Sequence, residues 1–434
     1  MFEHTEIKLE GGFDIAWPTL YRVKQKFDGA RIDDIEAKVA AEFAKPAISE
    51  KIRPGMRVAI TAGSRGIANL QAIITAIARE IKQRGASPLV VPAMGSHGGA
   101  TAAGQRQAIA EFGITEDNIG CPVISSMETV ELGRLENGLT IWFDKAAYEC
   151  DAVIALGRVK PHTDFKGPVE SGIQKMMVIG LGKHKGASSI HSHEIATFGQ
   201  LVPLAAALVM EKAPIAVGIG LVENAYDQTC DIVALPVERI AAGEPALLQQ
   251  AKSRMPKLLL ESIDVLVVER FGKEISGAGM DPNVTGRNAS GVKEGFIAPP
   301  IQKIWVRDLT AASHGNAACI NNADIITSAF FNKIDFSAFY TNVITSTNLN
   351  SGKLPLILPN DRLALAVAIK TCNRIDYRRP KVAWIRDTLH LEYIYVSEAC
   401  LAELADRDDV EITGETVEVS FNERDEVSTR FDFG

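Results

Sequence analysis

Residues 57–63, Arg-Val-Ala-Ile-Thr-Ala-Gly, form a short apolar run rich in β-formers and closed by glycine, the pattern of a strand buried on both faces of a parallel sheet. The stretch that follows changes period. Ile67, Leu70, Ile73, Ile74, Ile77, Ala78 and Ile81 recur at three- and four-residue steps, and Gly85 stands at a C-cap position. An amphipathic helix is therefore expected after the loop Ser64-Arg65-Gly66. The unit then repeats. A strand over Leu89 to Ala93 runs into Met94-Gly95-Ser96-His97-Gly98-Gly99, and Thr101 is placed to cap a helix reaching Phe112. A third strand, Asp151 to Gly157, opens into Arg158-Val159-Lys160-Pro161-His162. In an open parallel α/β sheet the loops after the carboxyl ends of the strands share one edge. Arg65, His97, Lys160 and His162 are expected to gather there.

Beyond an apolar stretch at Pro214 to Val222, and a helix with its connector to about Leu260, a new strand is expected at Asp264 to Val268. It leads into a long loop, Gly272 to Arg287. Strand-like runs at Ile304 to Val306 and Asp324 to Ser328, with a helix-like Leu363 to Lys370, imply a second α/β domain. The expected architecture is a two-domain α/β protein. Residues 1–260 form an N-terminal Rossmann-like parallel sheet domain and 261–404 a C-terminal α/β domain, with the active site in the cleft between them. The tail alternates over Glu415 to Phe421, so it reads as an edge strand or as a return of 405–434 to the first domain.

A chain of 434 residues, 46% of them hydrophobic, has enough material for two or three cores. Its formal net charge of −8 opposes a nucleic-acid backbone, and no nucleic-acid partner is expected. No apolar run approaches the roughly 18 residues that cross a bilayer, and the opening MFEHTEIKLE lacks the apolar core of a signal peptide. No membrane partner is expected, and the expected location is cytoplasmic. The six cysteines include no C-x-x-C pair, which suits a reducing compartment and offers no zinc spacing. There is no G-x-G-x-x-G after the first strand, no Walker loop, no H-E-x-x-H and no G-x-S-x-G. Ordinary dinucleotide, ATP, zinc-hydrolase and serine-hydrolase chemistry loses ground.

Five of the eight histidines, His97, His162, His184, His191 and His193, fall within 97 consecutive residues. Between Lys160 and Lys185, five lysines face two acids, Asp164 and Glu170, a local excess of +3 in an acidic protein. An anionic ligand is expected there, although any one lysine in such a loop is more often simply solvated. His184 and His193 read as surface histidines, and His4, His314 and His390 as structural ones. Arg65 could equally cap a helix or pair with an acid.

The run Ser171-Gly172-Ile173-Gln174-Lys175-Met176-Met177-Val178-Ile179-Gly180, followed by His191-Ser192, resembles the cofactor segment of the lactate racemase family, whose members use a nickel-pincer nucleotide. Ser64-Arg65, Gly95-Ser96-His97 and His162 fall in the family's order upstream. The resemblance covers most of the first domain and fades beyond about residue 260. It implies that Lys175 holds the nickel-pincer nucleotide covalently, through a thioamide link, and that His191 is the protein ligand to nickel. It further implies that His97 and His162 are the catalytic histidines and Arg65 the group that binds the substrate carboxylate. Two departures stand out: His97 is followed by Gly98-Gly99 where lactate enzymes typically carry arginine and proline, and the interval from His162 to Lys175 is longer. The polar residues of the second domain that would reach substrate are best placed on the loop to Arg287, at Asn283 and Thr285.

The implied function is a racemase or epimerase of a 2-hydroxy carboxylate, served by cofactor-synthesis enzymes. Its substrate need not be lactate; a larger hydroxy acid, a dicarboxylate or a sugar acid fits as well. Carrying the α-hydrogen as hydride avoids a carbanion beside a carboxylate. Imidazoles can hold or release the hydroxyl proton at neutral pH, and an arginine can grip the carboxylate through two parallel hydrogen bonds. Two competing readings remain: other redox exchange between hydroxy and keto acids on the same cofactor, and a metal-free protein binding an organic anion.

Overall fold

The structure, a computed structural model, describes residues 7–8, 12–13, 15–64 and 66–434. Its first strand, β1 (Thr19–Gln25), takes no part in the sheet whose strands follow it in sequence. That sheet is built from β2 (Arg57–Ala62), β3 (Ser87–Pro92), β6 (Ala152–Arg158), β7 (Ile215–Glu223) and β8 (Thr229–Pro236), while β4 (Thr129–Arg134) and β5 (Thr140–Asp144) form a separate antiparallel hairpin. The strand order is β3-β2-β6-β7-β8. The first four are parallel and β8 closes the edge antiparallel to β7, so the expected parallel sheet is mixed at one margin.

Alternation along the strands explains why both faces are covered. Val58, Ile60 and Ala62 of β2, with Ile154 and Leu156 of β6, point into one core with the helix Leu70–Gln83. Ala59, Val153 and Ala155 point into the other, where the helix Phe198–Lys212 lies. The helix Leu70–Gln83 ends as expected: Gly85 at φ +74° donates to Lys82 O, and Ala86 donates to Ile81 O, the paired bonds of a Schellman cap. Thr101 caps the helix Ala102–Ala110 by accepting from Gly104 N–H at 3.0 Å.

Residues Ile195–Lys212 are long and apolar enough to cross a membrane by composition, with mean hydropathy 1.3, which corrects the reading that no such stretch exists. Here one side of the segment is buried. Phe198, Val202, Ala205, Ala206 and Val209 are buried against the sheet, and Pro203 sits within it.

The second sheet has eight strands, in the order β12-β11-β10-β9-β13-β14-β1-β15. These are β9 (Ile263–Phe271), β10 (Ile301–Leu309), β11 (Ile325–Thr327), β12 (Leu356–Leu358), β13 (Val382–Ile385), β14 (Tyr393–Ser397) and β15 (Val410–Glu418), with β1. The run β12 to β13 is parallel and the remainder antiparallel. Trp305 of β10 and Trp384 of β13 are fully buried and meet edge to face at 5.7 Å.

The chain divides into two compact units, one of residues 28–255 and one of 256–434 with the segment ending at Phe27. Two points of the expected division need correction. The segment before residue 28 sides with the second sheet, because Leu20 pairs with Ser397 and Thr19 with Glu418. The tail does not return to the first sheet, because β15 pairs with β1 and forms the edge of the second. The short alternation around Arg22 and Lys24 fits a half-buried strand, but nothing local assigns it to the second sheet, because its partner strands lie near the other end of the chain.

Candidate active site

The chain leaves β2 for β3 on one side and returns to β6 on the other, so the order reverses between β2 and β6, the place where open α/β sheets bind ligands. The loops after β2 and β3 both press on the helical segment that follows Lys175. A Cβ on Gly63 would stand 3.2 Å from Met176 Cε, and one on Gly95 would stand 3.2 Å from Ile179 O. Gly95 N–H also donates to Gly180 O at 3.2 Å. Ser64 Oγ and His97 Nδ1 are hydrogen-bonded at 2.5 Å, which ties the first loop to the second. Arg65 lies outside the described residues.

After β6 the chain makes a loop closed by reciprocal backbone bonds between Lys160 and Ser171, each 3.1 Å. Inside it the buried Glu170 carboxylate accepts from His162 N–H at 2.7 Å, from the Lys166 ammonium at 3.3 Å and from the Lys252 ammonium at 2.7 Å. Two cations and an amide compensate the buried charge, and the backbone of His162 is held in consequence. Glu170 and Lys166 lie in the interval by which the sequence departs from the lactate enzymes.

The His162 ring stacks on Phe165, with centroids 4.2 Å apart. The Lys175 ammonium is 5.7 Å from the same Phe165 centroid and 3.5 Å from Ser171 Oγ. Phe165 in turn meets Phe198 at 5.6 Å, and Phe198 meets the His191 ring at 5.2 Å. Phe165 and Phe198 are buried. His162, Lys175 and His191 therefore lie along one aromatic shelf, and His97 joins them through the Gly95 to Gly180 backbone contact.

His191 ends the helix Lys183–His191. Its imidazole is held below the ordinary histidine range, first by desolvation and then by the neighbouring Lys175 ammonium. It is thus neutral at pH 7, the form that ligates a metal. Among the described residues no three His, Cys, Asp or Glu side chains converge on a metal position.

The glycine of the Ser171-Gly172 pair has a packing reason. A Cβ there would fall 2.1 Å from Glu244 Oε1, and φ is +156°. The buried Glu244 carboxyl accepts from Gln174 N–H at 3.0 Å at the start of the turn that carries Lys175. Burial raises its pKa to about 7. Glu244 and Lys252 belong to one helix, Val237–Arg254, which grips the segment ahead of Lys175 at two points.

The lysines of the basic stretch differ in their surroundings. Lys166 pairs with Glu170, Lys183 is wholly buried and pairs with Asp144, and Lys185 lies over the Trp142 ring at 4.8 Å. Two of the five lysines, Lys166 and Lys183, are thus paired with acids inside the unit, while Lys185 is exposed. In the other unit, Asn283 and Thr285 are buried, with Asn283 bonded to Asp281, and Arg287 pairs with Asp324. Asn283 and Thr285 are thus fixed within the loop that begins at Asp281.

Residues 19–200 match the family of lactate racemase N-terminal domains. No curated protein matches the chain. A structural-genomics protein from Thermotoga maritima superposes with a TM-score of 0.46 at 11% identity, over 77% of this chain and 81% of its own. The lactate racemase apoprotein from Thermoanaerobacterium thermosaccharolyticum superposes with a TM-score of 0.43 at 12% identity, over 78% of this chain and 94% of its own.

Proposed function

We propose, from the match of residues 19–200 to the lactate racemase N-terminal domain family, that the protein inverts the 2-hydroxy carbon of a 2-hydroxy carboxylate by reversible hydride transfer. The observation that carries this reading is the shelf of Phe165 and Phe198, which assembles His162, Lys175 and His191.

The residues fit the nickel-pincer nucleotide in their chemistry. Lys175 offers the amine for attachment, His191 a neutral imidazole for nickel, and the two phenyl rings an apolar surface for an aromatic ring. When bound, the pincer supplies a hydride acceptor.

The protein's own part is proton handling and orientation. Arg65, on the loop between β2 and the helix Leu70–Gln83, is assigned the substrate carboxylate. The Ser64 hydroxyl can donate to or accept from His97 Nδ1, so His97 can reach either neutral tautomer and can both take and return the hydroxyl proton. His162 differs. Its Nδ1 accepts the Asp164 N–H, so in this arrangement it donates from Nε2, a hydrogen bond suited to a carbonyl oxygen that gains negative charge as hydride returns to its carbon. Serving as base toward the opposite enantiomer requires that bond to open.

The test is expression of the whole chain beside the cofactor-synthesis enzymes, followed by intact mass, peptide mapping and metal analysis. A mass adduct on the Lys175 peptide with stoichiometric nickel is expected. An unmodified Lys175 without nickel under those conditions would favour the organic-anion binder.

A further inference from the structure

Lys183 is the least expected residue of this unit. It is a lysine with no solvent exposure, and it adopts φ +53°, a left-handed conformation that side chains other than glycine rarely take. Its ammonium donates to Pro92 O at 2.5 Å and to Gln105 Oε1 at 3.1 Å, and it forms an ion pair with Asp144 at 3.0 Å. Asp144 and Gln105 are equally buried. Burying a cation is costly even when it is paired, and an apolar cluster of the same volume commonly does as well for stability. What the polar arrangement adds is direction.

The direction is toward His97. The other end of the Gln105 amide donates to Gly95 O at 2.8 Å and to His97 O at 3.2 Å, so both carbonyls of the His97 loop hang from one side chain that Lys183 orients. Lys183 itself stands between Lys175 and His191 in the chain, three residues after Gly180, whose carbonyl accepts from Gly95 N–H. The segment bearing the expected cofactor attachments is thereby fastened at its middle to the loop bearing the expected base.

We propose that Gln105 and Lys183 are positioning residues, which fix the His97 imidazole relative to Lys175 and His191. The proposal rests on the reading of His97 as a catalytic residue, but its geometry can be tested without turnover. The probe is the full-length unloaded chain labelled with nitrogen-15 in histidine. Gln105→Met removes the amide, and Gln105→Glu keeps an acceptor for Lys183 while removing the donor to Gly95 and His97.

In both variants the His97 imidazole resonances should shift and lose the signature of the Ser64 bond, while those of His162 and His191 stay in place. In the loaded enzyme kcat should fall at least tenfold, with KM within threefold and the Lys175 adduct retained. Unchanged His97 resonances overturn the proposal. So does a common shift of all three histidines, or failure of both variants to fold, because either would make the network a general stability element. If loaded wild type turns over no hydroxy acid, the functional reading fails separately, and the His97 resonances still decide this one.

Discussion

The backbone N–H of Asp164 donates to Nδ1 of His162 at 3.0 Å. A backbone amide cannot accept at its nitrogen, so the neutral imidazole must carry its proton on Nε2. Nitrogen-15 spectra of the unloaded protein should therefore show His162 as the Nε2–H tautomer, with His97 free of that constraint. A proton on Nδ1 of His162 at pH 8 would contradict the assignment of a donor role.

Lys175 and His191 repel when both are charged, and this lowers the His191 pKa in addition to desolvation. Lys175→Met removes only the second cause. The His191 pKa, followed by NMR titration, should rise in that variant while remaining below the ordinary histidine range. No movement would mean that the two side chains do not sense each other.

Glu244 has a folded pKa of about 7 against an ordinary 4.5, caused by burial. An acid whose pKa is raised on folding makes the native state bind more protons than the unfolded chain. Stability is then lost as pH rises from the unfolded value through the folded one, a change on the order of 3 kcal/mol. Glu244→Gln lacks this loss. Urea unfolding of variant and wild type between pH 4.5 and 8 should move in favour of the variant by that order, and parallel profiles would count against it.

Phe165 is fully buried and touches His162, Phe198 and the Lys175 ammonium. Phe165→Ala should cost about 3–5 kcal/mol in unfolding free energy, the range for a large buried ring. Phe165→Leu should cost less, yet still weaken retention of nickel in the loaded protein. A Leu variant as well metallated as wild type would show that the shelf is only core.

What could be read from the sequence divides by range. The strand at Arg57–Ala62, its following helix and the Thr101 cap depend on neighbours within one or two turns, and the period of apolar residues is enough to find them. Lys175, His191, His97 and His162 were marked by motif and loop position, and three of them meet on the aromatic shelf. Their supports could not be marked. Glu170 reaches Lys252 across 82 residues, Gln174 reaches Glu244 across 70, and Lys183 reaches Gln105 across 78. Each of those partners reads as an ordinary surface residue until the sheet brings it close. β1 escaped notice for the same reason, since its partner strands lie near the other end of the chain.

The central claim is that the α-hydrogen travels as hydride and returns to the same carbon. After loading is verified by mass and nickel content, single enantiomers of lactate, malate and longer 2-hydroxy acids, each deuterated at C2, are incubated with the protein in ordinary water. For the acid that is turned over, the account predicts inverted product with deuterium retained at C2. Inverted product carrying protium there, or no inversion of any acid by fully loaded protein, would contradict it.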